Sequence, residues 1–272
     1  MKLVQSIMTK NPCYTAGRKI TVKGLMLHSV GCPQPNASAF IKNWNTPSYG
    51  TACVHGFIDG NDGTVYQTLP WNHRGWHCAS GPKGSGNNTH IGVEMCEPAS
   101  IRYTGGSSFT CSNLSAARAS VKKTYESAVE LFAYLCKLYG LNPTADGVII
   151  SHREGHARGI ASNHGDPEHL WNGLGMGYTM NTFRKDVKEK MQGGTVKPDE
   201  TKEMYRVRKS WEDAVSQKGA FHELENAKKC ADANKGYAVF NTSGKQVYPK
   251  TDFSPYLVEV TATDLNIRKG PG

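Results

Sequence analysis

The feature that most limits the fold is a long amphipathic pattern in the middle of the chain. Between Leu114 and Tyr139, apolar residues recur at spacings of 4, 3, 4, 3 and 4, which places them on one face of an α-helix. These residues are Val121, Tyr125, Ala128, Phe132, Leu135 and Tyr139. Gly140 predicts the end of the helix, because glycine readily takes the left-handed conformation that closes one. A helix with a single apolar face must pack against another element, and the sequence has to supply that surface.

Short apolar runs of strand length precede and follow this helix. They are Gly24–Ser29, Cys53–Ile58, Thr64–Thr68, His90–Met95 and Val148–Ser151. The sequence Asn61-Asp62-Gly63 between the second and third runs is typical of a hairpin turn. A closing helix is predicted where Phe183, Val187 and Met191 share one face. Interleaved strands and helices predict an α/β fold with a central mixed β-sheet flanked by helices, followed by a small α+β module.

A change of composition marks the predicted domain boundary. Gly193-Gly194 and the proline and charged residues after it are typical of a linker. We therefore predict a first domain over residues 1–192, a linker over 193–202 and a small α+β module over 203–250. Residues 251–272 would contribute about one strand pair, which is too little to bury a core.

The charge and the cysteines restrict the class of protein. The formal net charge is +9, and residues 1–192 hold 19 Lys and Arg against 12 Asp and Glu. A basic surface attracts polyanions such as nucleic acid, anionic membranes or anionic wall polymers. No RNP, zinc-finger or basic-zipper pattern is present, and a mean hydropathy of −0.52 without a long apolar run argues against a membrane protein. The eight cysteines are scattered singly, which favours free thiols.

Two histidines stand at the ends of predicted strands. His28 ends one buried run and His152 follows another, and open α/β sheets bind ligands at such strand ends. The turn-forming segment 163–167 adds Asp166. A catalytic zinc needs three protein ligands and an open position for water, and His28, His152 and Asp166 would meet that need. His156 and His164 are alternatives for the third ligand.

These residues belong to an ordered set of motifs that resembles a known family. The motifs are Leu27-His28-Ser29, Asp62–Gln67, Ile91–Glu94 and Ser151–Glu154. Over about residues 20–192 the sequence resembles the type-2 N-acetylmuramoyl-L-alanine amidases, which include phage endolysins and share their fold with animal peptidoglycan recognition proteins. The resemblance implies a zinc-dependent hydrolase that cuts the amide between N-acetylmuramic acid and L-alanine. It also implies that Zn²⁺ is bound by His28, His152 and Asp166.

The resemblance further implies catalytic and substrate-binding roles. Glu94 would be the general base, which agrees with its place in an apolar strand where a charge is costly unless it is functional or paired. A buried ion pair with Arg102 is the structural alternative. Gly92, on the same face as Glu94, would let substrate approach closely. His164 would stabilise the oxyanion. The remaining predicted substrate-binding residues are His77 and Trp76.

The expected partner is peptidoglycan, with anionic wall polymers as a further candidate and neither nucleic acid nor membrane. The N-terminal residues 1–6 lack the apolar stretch of a secretory signal. We therefore expect synthesis in the cytoplasm and action on the bacterial wall after release, as for an endolysin or an autolysin. The module over 203–250 loosely resembles part of a SPOR-like glycan-binding domain. Residues 251–272 resemble the start of a truncated SH3-like wall-binding domain, or form a disordered tail.

Two other functions compete with this interpretation. The first is a non-catalytic module that binds or senses peptidoglycan, and the second is a basic nucleic-acid-binding protein. The presence of His28, His152 and a plausible third ligand favours the enzyme over both. The oligomeric state cannot be read from the sequence.

Overall fold

The computed structural model describes residues 1–50, 52–193, 205–221 and 224–249. The chain divides into two compact units, Met1–Val196 and Lys197–Gly272. Apart from Gly193, the predicted linker and the predicted tail over 251–272 lie outside these residues. None of the helices in the described ranges combines the length and apolar character that crossing a bilayer requires.

In its described residues the first unit contains eight strands, most of which form one mixed sheet. Its eight strands are β1 (Leu3–Gln5), β2 (Gly24–Ser29), β3 (Gly56–Ile58), β4 (Val65–Gln67), β5 (His90–Met95), β6 (Ile101–Gly105), β7 (Ser108–Cys111) and β8 (Ile149–Ser151). Six of them form one sheet in the order β1-β4-β3-β5-β2-β8, while β6 and β7 form a separate hairpin. Only the β3–β4 pair in the large sheet is antiparallel.

Six α-helices accompany these strands in the described residues of this unit. They are α1 (Pro12–Thr15), α2 (Ala37–Trp44), α3 (Leu114–Tyr139), α4 (His152–Ala157), α5 (Glu168–Gly173) and α6 (Met180–Met191). Helix α3 begins where the Asn113 side chain accepts a hydrogen bond from the Ala116 amide, as at a typical N-cap. It ends at Gly140, which has a φ of 62°.

Side-chain alternation along β2 separates the core from the face that carries the site. Leu25 and Leu27 are fully buried in the large cluster that includes residues of α3, α5 and α6. Met26 lies in a smaller cluster on the opposite face, and His28 has the same parity as Met26. Fully burying one large apolar side chain is worth roughly 1.5–3 kcal/mol, so the apolar face of α3 supplies much of the stability of this layer.

The described part of the second unit contains a four-stranded antiparallel sheet and one α-helix. Its elements are β9 (Tyr205–Arg208), β10 (Gly219–Phe221), α7 (Leu224–Asp232), β11 (Ala238–Phe240) and β12 (Gln246–Tyr248). The strand order is β10-β9-β11-β12. Ala227 and Ala231 of α7 pack against Val207 and Val239, which gives this unit a core of its own.

The structure confirms the predicted α/β class with a central mixed sheet flanked by helices. The bounds of β2, β5 and α3 coincide with the predicted runs. The predictions did not include strand β1 or the β6–β7 hairpin. In the hairpin, apolar and polar residues alternate on either side of Gly105-Gly106, a turn signal that could have revealed it.

Candidate metal centre and catalytic pocket

The sheet places His28 and His152 side by side. Strands β2 and β8 are parallel neighbours, with Leu27 opposite Ser151, so the residues that follow in each strand lie at the same edge. His28 is the next residue of β2, and His152 is the first residue of α4. The Ser151 side chain accepts a hydrogen bond from the Glu154 amide, and the Glu154 carboxylate accepts one from the Ser151 amide. This capping box starts α4 directly after β8 and so holds His152 at the strand end.

Three donor atoms converge at this edge. The Nδ1 atom of His28 lies 3.1 Å from Nδ1 of His152 and 3.2 Å from Oδ2 of Asp166. Nδ1 of His152 lies 3.6 Å from Oδ1 of Asp166. All three residues are buried. Two imidazole nitrogens and one carboxylate oxygen that meet at one point form a donor set typical of catalytic zinc, so the residues fit the ion that the sequence predicts.

The protonation states agree with this fit. Burial, and then the neighbouring His28, lower the pKa of His152 to about 3, so its imidazole is neutral near pH 7. Burial alone would raise the pKa of Asp166, but the hydrogen bond and charge of His28, together with His152, lower it overall. Neutral imidazoles and an ionised carboxylate are the forms that bind a metal ion.

The two alternative third ligands stand apart from this group. The side chain of His164 is 62% exposed, and its Nδ1 lies 4.0 Å from Oδ1 of Asp166. Its ring packs against that of His152, with 4.5 Å between the centroids. Nδ1 of His156 lies 3.3 Å from the carbonyl oxygen of Ala161, on an exposed part of α4. The structure therefore brings Asp166 to His28 and His152, and leaves His164 at the rim.

His77 lies behind His28 with both of its ring nitrogens engaged. Its Nε2 is 3.1 Å from the carbonyl oxygen of His90, which can only accept, so Nε2 carries the proton. Nδ1 of His77 must then accept from Nε2 of His28, at 3.0 Å. With its proton on Nε2, His28 could offer Nδ1, the atom that faces His152 and Asp166, to a metal ion. Burial, and then His28 and His55, hold the pKa of His77 well below its usual range, so the imidazole of His77 is neutral and can accept this hydrogen bond.

The expectation that Gly92 leaves room for substrate is wrong. A Cβ atom at Gly92 would lie 2.3 Å from Cγ of His77, because the His77 ring occupies that space. The absence of a side chain at Gly92 therefore serves the packing of His77 beneath His28.

Glu94, on β5, lies beside His28, His152 and Asp166. It is paired in register with His28, and its side chain lines the same pocket. Within the described ranges its Oε2 atom is buried without a hydrogen-bond partner, and Glu94 forms no ion pair with Arg102 or any other base. Burial, and then Asp166 and Glu97, raise the pKa of Glu94 well above its ordinary value. A carboxylate held in this way is a stronger base than one in water.

A pocket of about 690 Å³ opens over these residues. Its lining includes His77, Glu94, His152, Arg153, His164 and Asp166, together with residues of the β6–β7 hairpin. The predictions missed two residues of its wall, Tyr103 and His169. The Tyr103 hydroxyl donates to the buried Glu97 carboxylate at 2.8 Å and lies 2.6 Å from Nε2 of His169.

Trp76 lies outside this pocket. Its side chain is 38% exposed and lines a second, smaller depression, although the next residue, His77, faces the metal-ligand group. Other histidines of the first unit bond to the backbone and serve a structural role. His55, for example, is fully buried with Nε2 at 2.8 Å from the His73 carbonyl oxygen, and burial lowers its pKa to about 4.

Comparisons with known proteins identify the family of the first unit. A family model described as N-acetylmuramoyl-L-alanine amidase matches residues 17–169. Two curated relatives are the N-acetylmuramoyl-L-alanine amidases CwlH and XlyA of Bacillus subtilis (strain 168). CwlH is 36% identical over 80 residues, which cover 29% of this chain and 30% of CwlH. XlyA is 39% identical over 80 residues, which cover 29% of this chain and 25% of XlyA. The chain thus matches about a third or less of the length of these relatives.

Among solved structures, the catalytic domain of XlyA is 20% identical with a TM-score of 0.48. The match covers 69% of this chain and 99% of that domain.

Proposed function

This chain belongs to the N-acetylmuramoyl-L-alanine amidase family, and from that premise we propose that it hydrolyses the amide between N-acetylmuramic acid and L-alanine in peptidoglycan. The observation that carries the proposal is the convergence of His28, His152 and Asp166 beside the half-buried Glu94, in a pocket large enough for part of a muropeptide. Family membership alone would not distinguish an enzyme from a binding module, whereas this group of residues favours the enzyme.

The three converging residues would hold a zinc ion. When bound there, zinc supplies a Lewis acid that polarises the carbonyl and makes water more acidic. His28 and His152 offer nitrogen lone pairs and Asp166 offers a carboxylate oxygen. His77 acts as a positioning residue. It fixes the tautomer of His28, and both of its own ring nitrogens are engaged by His28 and the His90 carbonyl.

Glu94 acts first as general base and then as general acid in the proposed reaction. Its carboxylate accepts a proton as water adds to the scissile carbonyl carbon. As the carbon–nitrogen bond breaks, Glu94 returns that proton to the departing amine of L-alanine. The products are a muramoyl carboxylic acid and a peptide with a free amino terminus, so Glu94 ends the cycle as it began.

His164 is placed to help at the rim of the pocket. Its ring packs on His152 and remains largely exposed to the pocket. From this position it can contact the carbonyl of a bound substrate. We assign it the donation of a hydrogen bond to the developing oxyanion. The proposed site of action is the bacterial wall, and peptidoglycan is the proposed partner.

The test is an assay of products on purified peptidoglycan. The parent protein should release new N-terminal L-alanine without new reducing ends, lose this activity with a chelator and regain it with zinc. Glu94→Gln should keep its fold and zinc content while turnover falls at least about a hundredfold, the lower range for general base catalysis. Release of other termini would contradict the bond assignment. Wall binding without any cleavage would support the binding-module alternative, and a Glu94→Gln rate within about threefold of the parent would remove Glu94 as the base.

A further inference from the structure

Two arginines face each other on neighbouring segments of the first unit, away from the catalytic pocket. The Arg74 amide donates to the Arg18 carbonyl at 2.8 Å, and the Ile20 amide donates to the Asn72 carbonyl at 2.9 Å. Between them, Lys19 and His73 form an antiparallel bridge. Arg18 and Arg74 therefore lie directly opposite each other, and like charges in that position are destabilising.

Among the described residues, no Asp or Glu pairs with either arginine. The first 58 residues of the chain contain no Asp or Glu. Across the described ranges neither Arg18 nor Arg74 forms an ion pair, and Nε of Arg74 donates instead to the neutral side chain of Asn88 at 2.7 Å. Partial burial, and then Arg18, lower the pKa of Arg74, whereas the nearby thiols of Cys13 and Cys78 oppose that shift. A bound anion would offset the repulsion between the two guanidinium groups.

A depression of about 160 Å³ lies between the two arginines. Pro12 and Ala16 line one part of it, and Trp76 closes another. The Arg74 guanidinium lies 5.1 Å from the centre of the Trp76 ring, a cation–π contact that fixes its orientation. The depression shares no lining residue with the catalytic pocket.

We propose that this arginine pocket, formed by Arg18, Arg74 and Trp76, binds a phosphate group of a phosphodiester wall polymer. Guanidinium groups pair with phosphate through two parallel hydrogen bonds, and two of them in one depression suit a group with several acceptor oxygens. The volume admits one phosphate with its neighbouring polyol carbons but not a folded peptide stem. The wall as the setting rests on the proposed function, whereas the anion site itself does not.

The experiment compares two doubly substituted full-length proteins on two kinds of wall. Arg18→Gln/Arg74→Gln removes the cation pair, and Lys122→Gln/Lys185→Gln removes the same charge at side chains that are 63% and 75% exposed. Retention is measured on walls with intact phosphodiester polymers and on walls stripped of them with hydrofluoric acid. The arginine variant should bind intact walls about tenfold more weakly than the lysine variant. On stripped walls the two should bind alike, and both should cleave a soluble muropeptide at the parental rate.

Equal retention of the two variants on intact walls would overturn the proposal, as would a deficit of the arginine variant relative to the lysine variant that persists on stripped walls. Failure to cleave by all three proteins would instead contradict the proposed function. A second measurement does not depend on how the arginine and lysine variants fold. In the parent protein labelled with 5-fluorotryptophan, glycerol phosphate should shift the Trp76 resonance, identified by its loss in Trp76→Phe, and leave the other four tryptophans in place. An unmoved Trp76 resonance would also overturn the proposal.

Discussion

At the scale of single residues, the imidazole of His77 decides which nitrogen of His28 is free to bind a metal. The carbonyl of His90 fixes the proton on Nε2 of His77, and that in turn fixes the proton on Nε2 of His28. We predict that His77→Ala weakens zinc affinity about 10- to 100-fold, the usual effect of losing such an orienting partner. His77→Gln can accept and donate at the same two places, so it should retain most of the affinity. Competition with a chromogenic chelator measures both. Parental affinity in His77→Ala would show that the chain of imidazoles is unimportant.

Asp166 and His164 can be separated in the same way. Asp166 offers a buried oxygen to the two histidines, whereas His164 is largely exposed and contacts the group only through its ring. Asp166→Ala should therefore lose zinc, and His164→Ala should keep it while turnover falls about a hundredfold or more, as for the loss of an oxyanion donor. Elemental analysis measures the zinc content, and the product assay measures the turnover. The reverse pattern of metal loss would make His164 the third ligand.

At the scale of elements, a buried carboxylate joins three parts of the pocket wall. Glu97 follows β5 and is fully buried, Tyr103 lies on β6, and His169 lies on α5. Burial is the main cause that raises the pKa of Glu97 from 4.5 to about 7. The folded protein thus binds this proton more tightly than the unfolded chain does. The contribution of Glu97 to the free energy of unfolding is fully present below about pH 4.5 and is lost as the pH rises through about 7.

Glu97→Gln should remove this dependence. Between pH 4.5 and pH 8, its free energy of unfolding should improve relative to the parent by roughly 2–3 kcal/mol. Urea unfolding in the presence of chelator measures this without a contribution from bound metal. Glu126→Gln, on the exposed side of α3, is the matched control and should follow the parent at every pH. A constant difference between Glu97→Gln and the parent would show that Glu97 does not titrate in this range.

The sequence predicted the elements whose periodicity is strong and whose partners are local. Helix α3 has an uninterrupted apolar face and a glycine at its end, so its bounds could be read directly. The candidate metal ligands could be named because His28 and His152 sit at strand ends and Asp166 lies in the turn-forming segment that follows them. Strand β1 could not, since it has three residues and pairs with β4 about sixty positions away. The relation between His77 and Gly92 depends on how the loop before β5 folds back onto the sheet, which no local pattern encodes.

At the scale of the whole molecule, the two units have separate cores and different charge. The apolar cluster of the first unit lies between its sheet and helices α3, α5 and α6, and that of the second lies beneath α7. Residues 1–192 carry a net charge of +7, whereas the remaining 80 residues carry +2. All the residues proposed for catalysis, and the arginine pocket, belong to the first unit. The later residues are therefore candidates for a supporting role at the wall.

We predict that a protein ending at Gly193 folds and cleaves a soluble muropeptide at a rate within about twofold of the full chain. The physical reason is that no core residue of the first unit comes from beyond Met191 within the described ranges, so its removal leaves no cavity. If the module over 203–250 binds the wall as expected from its sequence, affinity for intact walls should fall by about tenfold or more, because two linked binding surfaces would be reduced to one. Circular dichroism melting confirms folding, and retention on walls measures affinity. An insoluble or inactive product would place residues beyond Gly193 in the catalytic core, and unchanged retention would exclude them from wall binding.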